Sequence, residues 1–324
     1  VKIRSTIAAL GLAVGALLLF GPRPRIERSP SVDVPSEPAA LVEYLAAAES
    51  RFGDIVAGTE KTIVWDNPVN PARTPLSVVY LHGFSATHRE TAPLAEELAS
   101  ALRANLYLTR LTGHGRTGEA LGEATASDWI ADVSEAVDIG GVMGERVIVL
   151  GVSTGATLAT WAAAQPEIAD RIAGLVLISP NYGVADSRAR LLTFPWGTWI
   201  ASRFYDSEYS FEPVNEGHAT YWTERYPVGP LAEMVALTSL VDREIFAEVR
   251  APTIVFLDPE DQVIDVARVH AAFAELGSAE KELAIAHDVG DPAHHVLAGD
   301  ILSPGLTDWV LARSVLFLEE ALER

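Results

Sequence analysis

From about residue 60 onward the chain alternates short apolar runs rich in β-branched residues with longer stretches whose apolar positions recur every three or four residues. The short runs are Thr62–Trp65, Ser77–Leu81, Asn105–Arg110, Val147–Val152, Leu175–Ser179, Thr253–Leu257 and Glu282–Ala286. Their composition and their lack of proline predict strands. Arg89–Leu102 and Asp128–Val142 read as amphipathic covering helices, the second with Trp129, Val133 and Val137 on one face. Thr307–Leu322 predicts a terminal helix that turns Trp309, Val310, Leu311, Val315, Leu316 and Leu318 toward the sheet. Such alternation is the pattern of an α/β domain: a mainly parallel, doubly wound sheet with helices on both faces.

One region breaks the pattern. Residues 181 to about 250 contain no strand signal, yet positions 182 to 226 hold 11 of the chain's 25 aromatic residues, including Trp196, Trp199, Tyr205, Tyr221 and Trp222. This predicts a helical cap inserted over the strand ends. Most of these rings would fill the cap's own core, and a minority facing the cleft would form an apolar acyl or alcohol pocket.

The N-terminus stands apart. Lys2 and Arg4 precede an uncharged apolar run, Ile7–Phe20, which stops at Gly21-Pro22-Arg23-Pro24. Residues 1–20 therefore read as a signal-anchor or signal peptide, so that the protein is expected to be membrane-anchored or exported. Basic residues flank both ends of the run and leave its orientation open. Residues 21–38, with five prolines, read as an extended linker, and 39–324 as the globular domain with its cap at about 181–250.

Charge and composition narrow the function classes. The formal net charge is −20, and residues 1–30 carry five basic side chains against Glu27, so the remainder bears about −24. A body so acidic repels phosphate backbones and excludes nucleic acid as a partner. The absence of cysteine removes disulfides, thiolate metal sites and a cysteine nucleophile together.

The chemistry centres on Gly151-Val152-Ser153-Thr154-Gly155, which follows the run Val147–Val152 without a gap and opens the helical stretch Thr154–Ala164. A sharp strand-to-helix turn lifts a serine hydroxyl clear of the sheet, and glycine at the flanking positions lets the neighbouring backbones pass closely. At the helix start, exposed N–H groups favour negative charge on a tetrahedral intermediate. The alternative for Ser153 is a plain helix N-cap. A second feature, Leu81-His82-Gly83-Phe84, directly follows the run Ser77–Leu81 and could aim a backbone N–H at the point served by the N–H of Thr154, forming an oxyanion hole.

With these two features the chain resembles the α/β-hydrolase superfamily, and within it the carboxylesterase and monoacylglycerol-lipase-like branch, over about residues 60–322. The resemblance implies that Phe84, after His-Gly, supplies the second oxyanion N–H and that His82 is structural. Arg110-Leu111-Thr112-Gly113-His114-Gly115-Arg116 is similar to the family's Gly-His-Gly turn, with Arg110 in place of a common acidic residue and Thr112 in place of a common proline.

A serine needs a base, and the base needs a carboxylate to hold it. The fold's order is Ser, acid, His. The turn after Thr253–Leu257 offers Asp258, Glu260 and Asp261. Asp261 precedes Val263-Ile264 as in the family's Asp-x-Val-Val pattern and is the expected acid, with Asp258 as the alternative. The loop after Glu282–Ala286 offers His287, His294 and His295. His295 precedes Val296-Leu297 and follows Asp261 at the family's usual separation, so it is the expected base, with His294 the alternative. A metal reading of His287, Asp288, Asp291, His294 and His295 lacks a helical His-x-x-x-His pair, so no metal and no cofactor are expected. His88, His114 and His218 read as structural, although His218 could touch substrate.

The expected activity is hydrolysis of a small-molecule acyl ester through an acyl-enzyme, with thioester or amide cleavage as the alternative on the same scaffold. A membrane-tethered binding protein without catalysis is the rival from another class.

Overall fold

The computed structural model describes residues 14–15, 20–27, 32–204 and 207–323. Most of the apolar run Ile7–Phe20 lies outside them, and so does the signal-anchor or signal-peptide reading. Among the described residues no helix is long and apolar enough to cross a membrane.

The strands are β1 (Thr62–Val64), β2 (Thr74–Leu81), β3 (Asn105–Leu108), β4 (Gly144–Val152), β5 (Ile172–Ile178), β6 (Glu208–Ser210), β7 (Arg225–Pro227), β8 (Thr253–Leu257) and β9 (Lys281–Ile285). Seven form one sheet in the order β1-β3-β2-β4-β5-β8-β9. Every pairing is parallel except that of β1 with β3. The expected strands are thus all present, several with shifted ends.

Two cores flank the sheet, because successive residues of a strand point to opposite faces. In β4, Val147 and Val149 enter one core together with Trp129, Val133 and Val137 of the helix Ala126–Met143 and with the helix Thr154–Ala162. Ile148, Leu150 and Val152 enter the other, against the helices Leu94–Ala101 and Thr307–Leu322. Burial on both faces explains why the strands read as continuous apolar runs.

Two expectations need correction. The helix predicted over Arg89–Leu102 spans only Leu94–Ala101. Pro93 precedes its first turn, and the Glu90 side chain bonds elsewhere, as described below. The segment after β5 is not free of strands, since β6 and β7 pair as an antiparallel hairpin among the helices Gly197–Phe204, Glu216–Tyr221 and Gly229–Leu237. At three residues each, the two strands are too short to show a period in sequence.

Arg110, the departure from the family's acidic residue, has a clear local role. Its guanidinium grips Glu49 at the end of the first helix, Pro38–Glu49, through Nε–Oε2 (3.0 Å) and Nη2–Oε1 (2.7 Å). Its Nη1 donates to the His114 carbonyl at 3.0 Å. Burial raises the Glu49 carboxyl's proton affinity, but the hydrogen bonds and charge of Arg110 outweigh it, and the net shift is downward.

Candidate active site

Ser153 directly follows β4 with φ 51° and ψ −114°, a positive-φ conformation that a non-glycine residue rarely adopts. The bend is held by its own backbone: Ser153 N–H donates to the Ile178 carbonyl at 2.9 Å, and its carbonyl accepts from Asn181 N–H at 3.1 Å. The flanking glycines are steric requirements. A Cβ at Gly155 would lie 2.0 Å from the Leu81 carbonyl oxygen, and one at Gly151 would lie 2.7 Å from Ala156 Cα. Ser153 makes no side-chain capping bond to the helix that follows.

On the other side of the site, Gly83 brings the loop after β2 against the serine. A Cβ built at Gly83 would stand 3.4 Å from Ser153 Cβ. Among the described residues, neither Phe84 N–H nor Thr154 N–H donates to a protein acceptor, so both remain available. The Phe84 ring packs edge-on against His114, Trp129 and Tyr226, which fixes the backbone that carries its N–H.

The four candidates for acid and base form two separate pairs. His295 Nδ1 lies 2.7 Å from Asp261 Oδ2, with the Asp261 side chain wholly buried. Asp261 Oδ1 accepts from the N–H groups of Val263 (2.8 Å) and Ile264 (3.1 Å), so the carboxylate is clamped from both sides. Burial opposes a charge on His295, but the Asp261 charge and hydrogen bond outweigh it and raise the imidazole's proton affinity above its ordinary value. The second pair joins His294 Nδ1 to Asp258 Oδ2 at 2.8 Å, with the His294 side chain more open to solvent. Asp258 Oδ1 also accepts from Glu260 N–H, the turn-forming bond expected ahead of Pro259.

The His295 loop is tied to the strand beside Ser153. Ser179 Oγ donates to the His295 carbonyl at 2.7 Å, and Ser179 directly follows Ile178, the residue that accepts from Ser153 N–H. The backbones of His295 and Ser153 are therefore anchored on consecutive residues, Ser179 and Ile178, at the end of β5. Among the described residues no hydrogen bond joins Ser153 Oγ to His295, and none is made by His295 Nε2. Asp291 shapes the loop, its carboxylate accepting from the N–H groups of Ala293 (3.1 Å), His295 (3.1 Å) and Val296 (2.9 Å).

Sequence reasoning missed Glu90. Its carboxyl is buried beneath the Gly83 loop, where Oε1 accepts from Gly83 N–H (2.6 Å) and from the Tyr80 hydroxyl (2.9 Å). Burial pushes its pKa up to about 7, against the lowering effect of those donors. The position lay inside a stretch read as a helix, and nothing in the motif marks it.

Three further histidines, His82, His114 and His218, sit in packed surroundings. His82 Nε2 accepts from Leu111 N–H at 3.0 Å, and burial drives its proton affinity well down. His114 lies beside it, lowered to about 4 by burial. His218 Nδ1 accepts from Val214 N–H, while its ring stacks on Phe211 and meets Trp222 edge-on. Trp222 in turn clusters with Ala86 beyond the Phe84 loop and with Val296 beyond His295. Thr223 N–H donates to the Ser85 carbonyl at 2.7 Å, so the segment between β5 and β8 is fastened to both sides of the site.

Known proteins share this arrangement of elements. A thermostable monoacylglycerol lipase of Bacillus sp. (strain H-257) is 28% identical over 209 residues, which cover 64% of this chain and 80% of that protein. A structure from work on LipS and LipT, two metagenome-derived lipolytic enzymes, superposes with a TM-score of 0.67 at 22% identity, over 82% of this chain and 99% of the other. The monoacylglycerol lipase of Paleococcus ferrophilus superposes with a TM-score of 0.59 at 16% identity, over 81% and 99% of the two chains. The model of the alpha/beta hydrolase family matches residues 78–300, which run from β2 through the His295 loop, and the chain belongs to that family.

Proposed function

We propose that the protein hydrolyses carboxylic esters by way of an acyl-enzyme, with Ser153 as nucleophile, His295 as base and Asp261 as the acid that orients it. The observation that carries this reading is the strained backbone at Ser153 together with a His295 loop whose backbone is anchored at Ser179, next to the serine's own hydrogen-bond acceptor Ile178, while its ring is held by Asp261. A non-glycine residue held at positive φ is costly, and such strain is concentrated where a side chain must be presented for chemistry.

The Asp261 bond occupies Nδ1 of His295 and leaves Nε2 as the proton acceptor. Ser153 Oγ gives its proton to Nε2 as it attacks the acyl carbonyl, and the carbonyl oxygen becomes an oxyanion received by the N–H groups of Phe84 and Thr154. His295 then protonates the departing alkoxide, leaving the acyl group on Ser153. Water attacks that ester with His295 again taking a proton, and collapse of the second tetrahedral intermediate releases the acid and restores the serine. Each oxyanion donor is worth about 3 kcal/mol in the transition state. Esters of small to medium acyl chains, acyl glycerols among them, are the proposed substrates, in keeping with the aromatic side chains near the Phe84 loop: Tyr226 against Phe84, and Trp222 packed with Ala86 and Val296.

A fluorophosphonate probe tests the reading. Stoichiometric labelling that disappears in Ser153→Ala supports it, and a folded wild-type protein that resists labelling overturns it. p-Nitrophenyl esters of graded length, measured beside matched thioesters and anilides, test the ester assignment.

A further inference from the structure

Away from Ser153, the segment before the first helix folds back onto the region after β5. Trp196 N–H donates to the Pro22 carbonyl at 2.9 Å, Ser127 Oγ donates to the Arg25 carbonyl at 3.2 Å, and Glu27 N–H donates to Ser127 Oγ at 2.9 Å. These bonds fix one wall of a cleft of about 830 Å³. Its lining includes Arg23 and Arg25 from the arm, Arg190 from the turn Ser187–Thr193 and Arg268 from the helix Val266–Glu275, and contains no Asp or Glu. Apolar side chains such as Phe194 and Leu240 fill the rest of the wall.

Four arginines gathered without a carboxylate are unexpected in a chain of net charge −20. None of the four forms an ion pair among the described residues. Arg268 is the best fixed. Its Nη2 donates to the Thr238 carbonyl at 3.4 Å, and its stem passes over Gly183, where a Cβ would lie 3.0 Å from Arg268 Cδ. Its proton affinity is lowered, first by burial and then by the Arg190 charge, while Asp265, which caps the same helix, acts in the opposite direction. Two guanidiniums held close enough to repel each other are relieved by an anion between them.

We infer that this cleft binds a phosphate group, carried either by a lipid headgroup or by a small soluble phosphate. One carboxylate is satisfied by a single bidentate guanidinium, whereas the three or four oxygens of a phosphate can engage several planar forks at once. The inference does not depend on the proposed catalysis, since no residue of the cleft belongs to that machinery.

The test uses the full chain. Binding of inorganic phosphate is measured by titration calorimetry, with acetate as the comparison anion. Co-sedimentation is measured with vesicles of phosphatidylcholine alone and of phosphatidylcholine with phosphatidylglycerol in equal parts. Two double variants, Arg190→Gln with Arg268→Gln and Arg23→Gln with Arg25→Gln, are compared with Arg243→Gln, an arginine outside the cleft. Each double variant is expected to weaken the phosphate-bearing ligand about tenfold or more, with Arg243→Gln and hydrolysis of a soluble ester unchanged. Retention on phosphatidylglycerol vesicles without binding of free phosphate assigns the lipid source, and the reverse assigns the soluble one. Equal binding of acetate, absence of binding to both ligands, or variants that bind like wild type would overturn the inference. The arm variant lies outside the packed core, so it keeps the test valid if the other double variant fails to fold.

Discussion

His294 and His295 are adjacent in the chain, yet they take different aspartates: His295 pairs with the buried Asp261 at 2.7 Å and His294 with Asp258 at 2.8 Å. Positive φ at His294 turns the chain so that successive rings diverge. Two imidazole–carboxylate pairs thus lie side by side, and the proposed mechanism uses one.

The first prediction separates them. Asp261→Asn loses the charge that holds His295 in the required tautomer, and kcat should fall by about 10²–10⁴. Asp258→Asn and His294→Ala should each stay within about threefold of wild type. Steady-state kinetics on a soluble p-nitrophenyl ester checks this, and a collapse of kcat in Asp258→Asn beside a tolerant Asp261→Asn would reverse the assignment.

The raised proton affinity of His295 has a consequence for pH. The base works only when neutral, and a raised pKa keeps the ring protonated to higher pH. The acid limb of kcat/KM should therefore have its midpoint above the ordinary histidine value of about 6.5, with activity rising as pH increases through it. Asp261→Asn removes the main group that raises it while burial persists, so in that variant the limb should move to lower pH. A pH profile of residual activity decides the matter.

Backbone crowding gives a pair of stability predictions with opposite signs. Gly155→Ala places a methyl 2.0 Å from a carbonyl oxygen of β2 that has no room to retreat. The cost should reach about 3 kcal/mol or more. Gly141 lies inside the helix Ala126–Met143, and there a Cβ would meet only Arg171 Cδ at 3.5 Å. Gly141→Ala should stabilise by about 0.5–1 kcal/mol through helix propensity. Urea unfolding of both variants measures the difference.

The sheet was legible in the sequence because strands buried on both faces leave little choice of residue: the β-branched runs marked β8 residue by residue and the buried C-terminal parts of β2 and β4, each of which begins three residues earlier. The tight turn at Ser153 was legible for the same kind of reason, since Gly151 and Gly155 answer to backbone atoms a few ångströms away. The β6–β7 hairpin was not, being too short for a period. Spacing alone could not decide between His294 and His295, because the decision rests on which way a loop turns. Arg110 read as a departure until Glu49, 61 positions earlier, supplied its partner. Glu90 was invisible for a similar reason, because its partners Gly83 and Tyr80 sit on the preceding loop and strand and meet it only after folding.

Glu90 carries the last prediction. Its pKa of about 7 in the folded protein lies above the ordinary glutamate value of 4.5. Below pH 4.5 the carboxyl is protonated in both folded and unfolded chains and contributes no pH dependence. Between 4.5 and 7 the unfolded chain releases the proton while the folded chain retains it, so this group makes stability fall as pH rises; above 7 the loss is constant. The difference of about 2.5 units corresponds to about 3 kcal/mol in this burial-dominated case. Glu90→Gln keeps an oxygen for Gly83 N–H and removes the titration. Its stability should therefore gain on wild type as pH increases from 4.5 to 7, with kcat largely retained. Glu90→Ala leaves Gly83 N–H and the Tyr80 hydroxyl without their buried acceptor, which loosens the loop that carries the Phe84 N–H. In that variant kcat should fall about tenfold or more with little change in KM. If denaturation curves of wild type and Glu90→Gln run parallel across this pH range, the buried carboxyl is ionised throughout, and the stability argument fails.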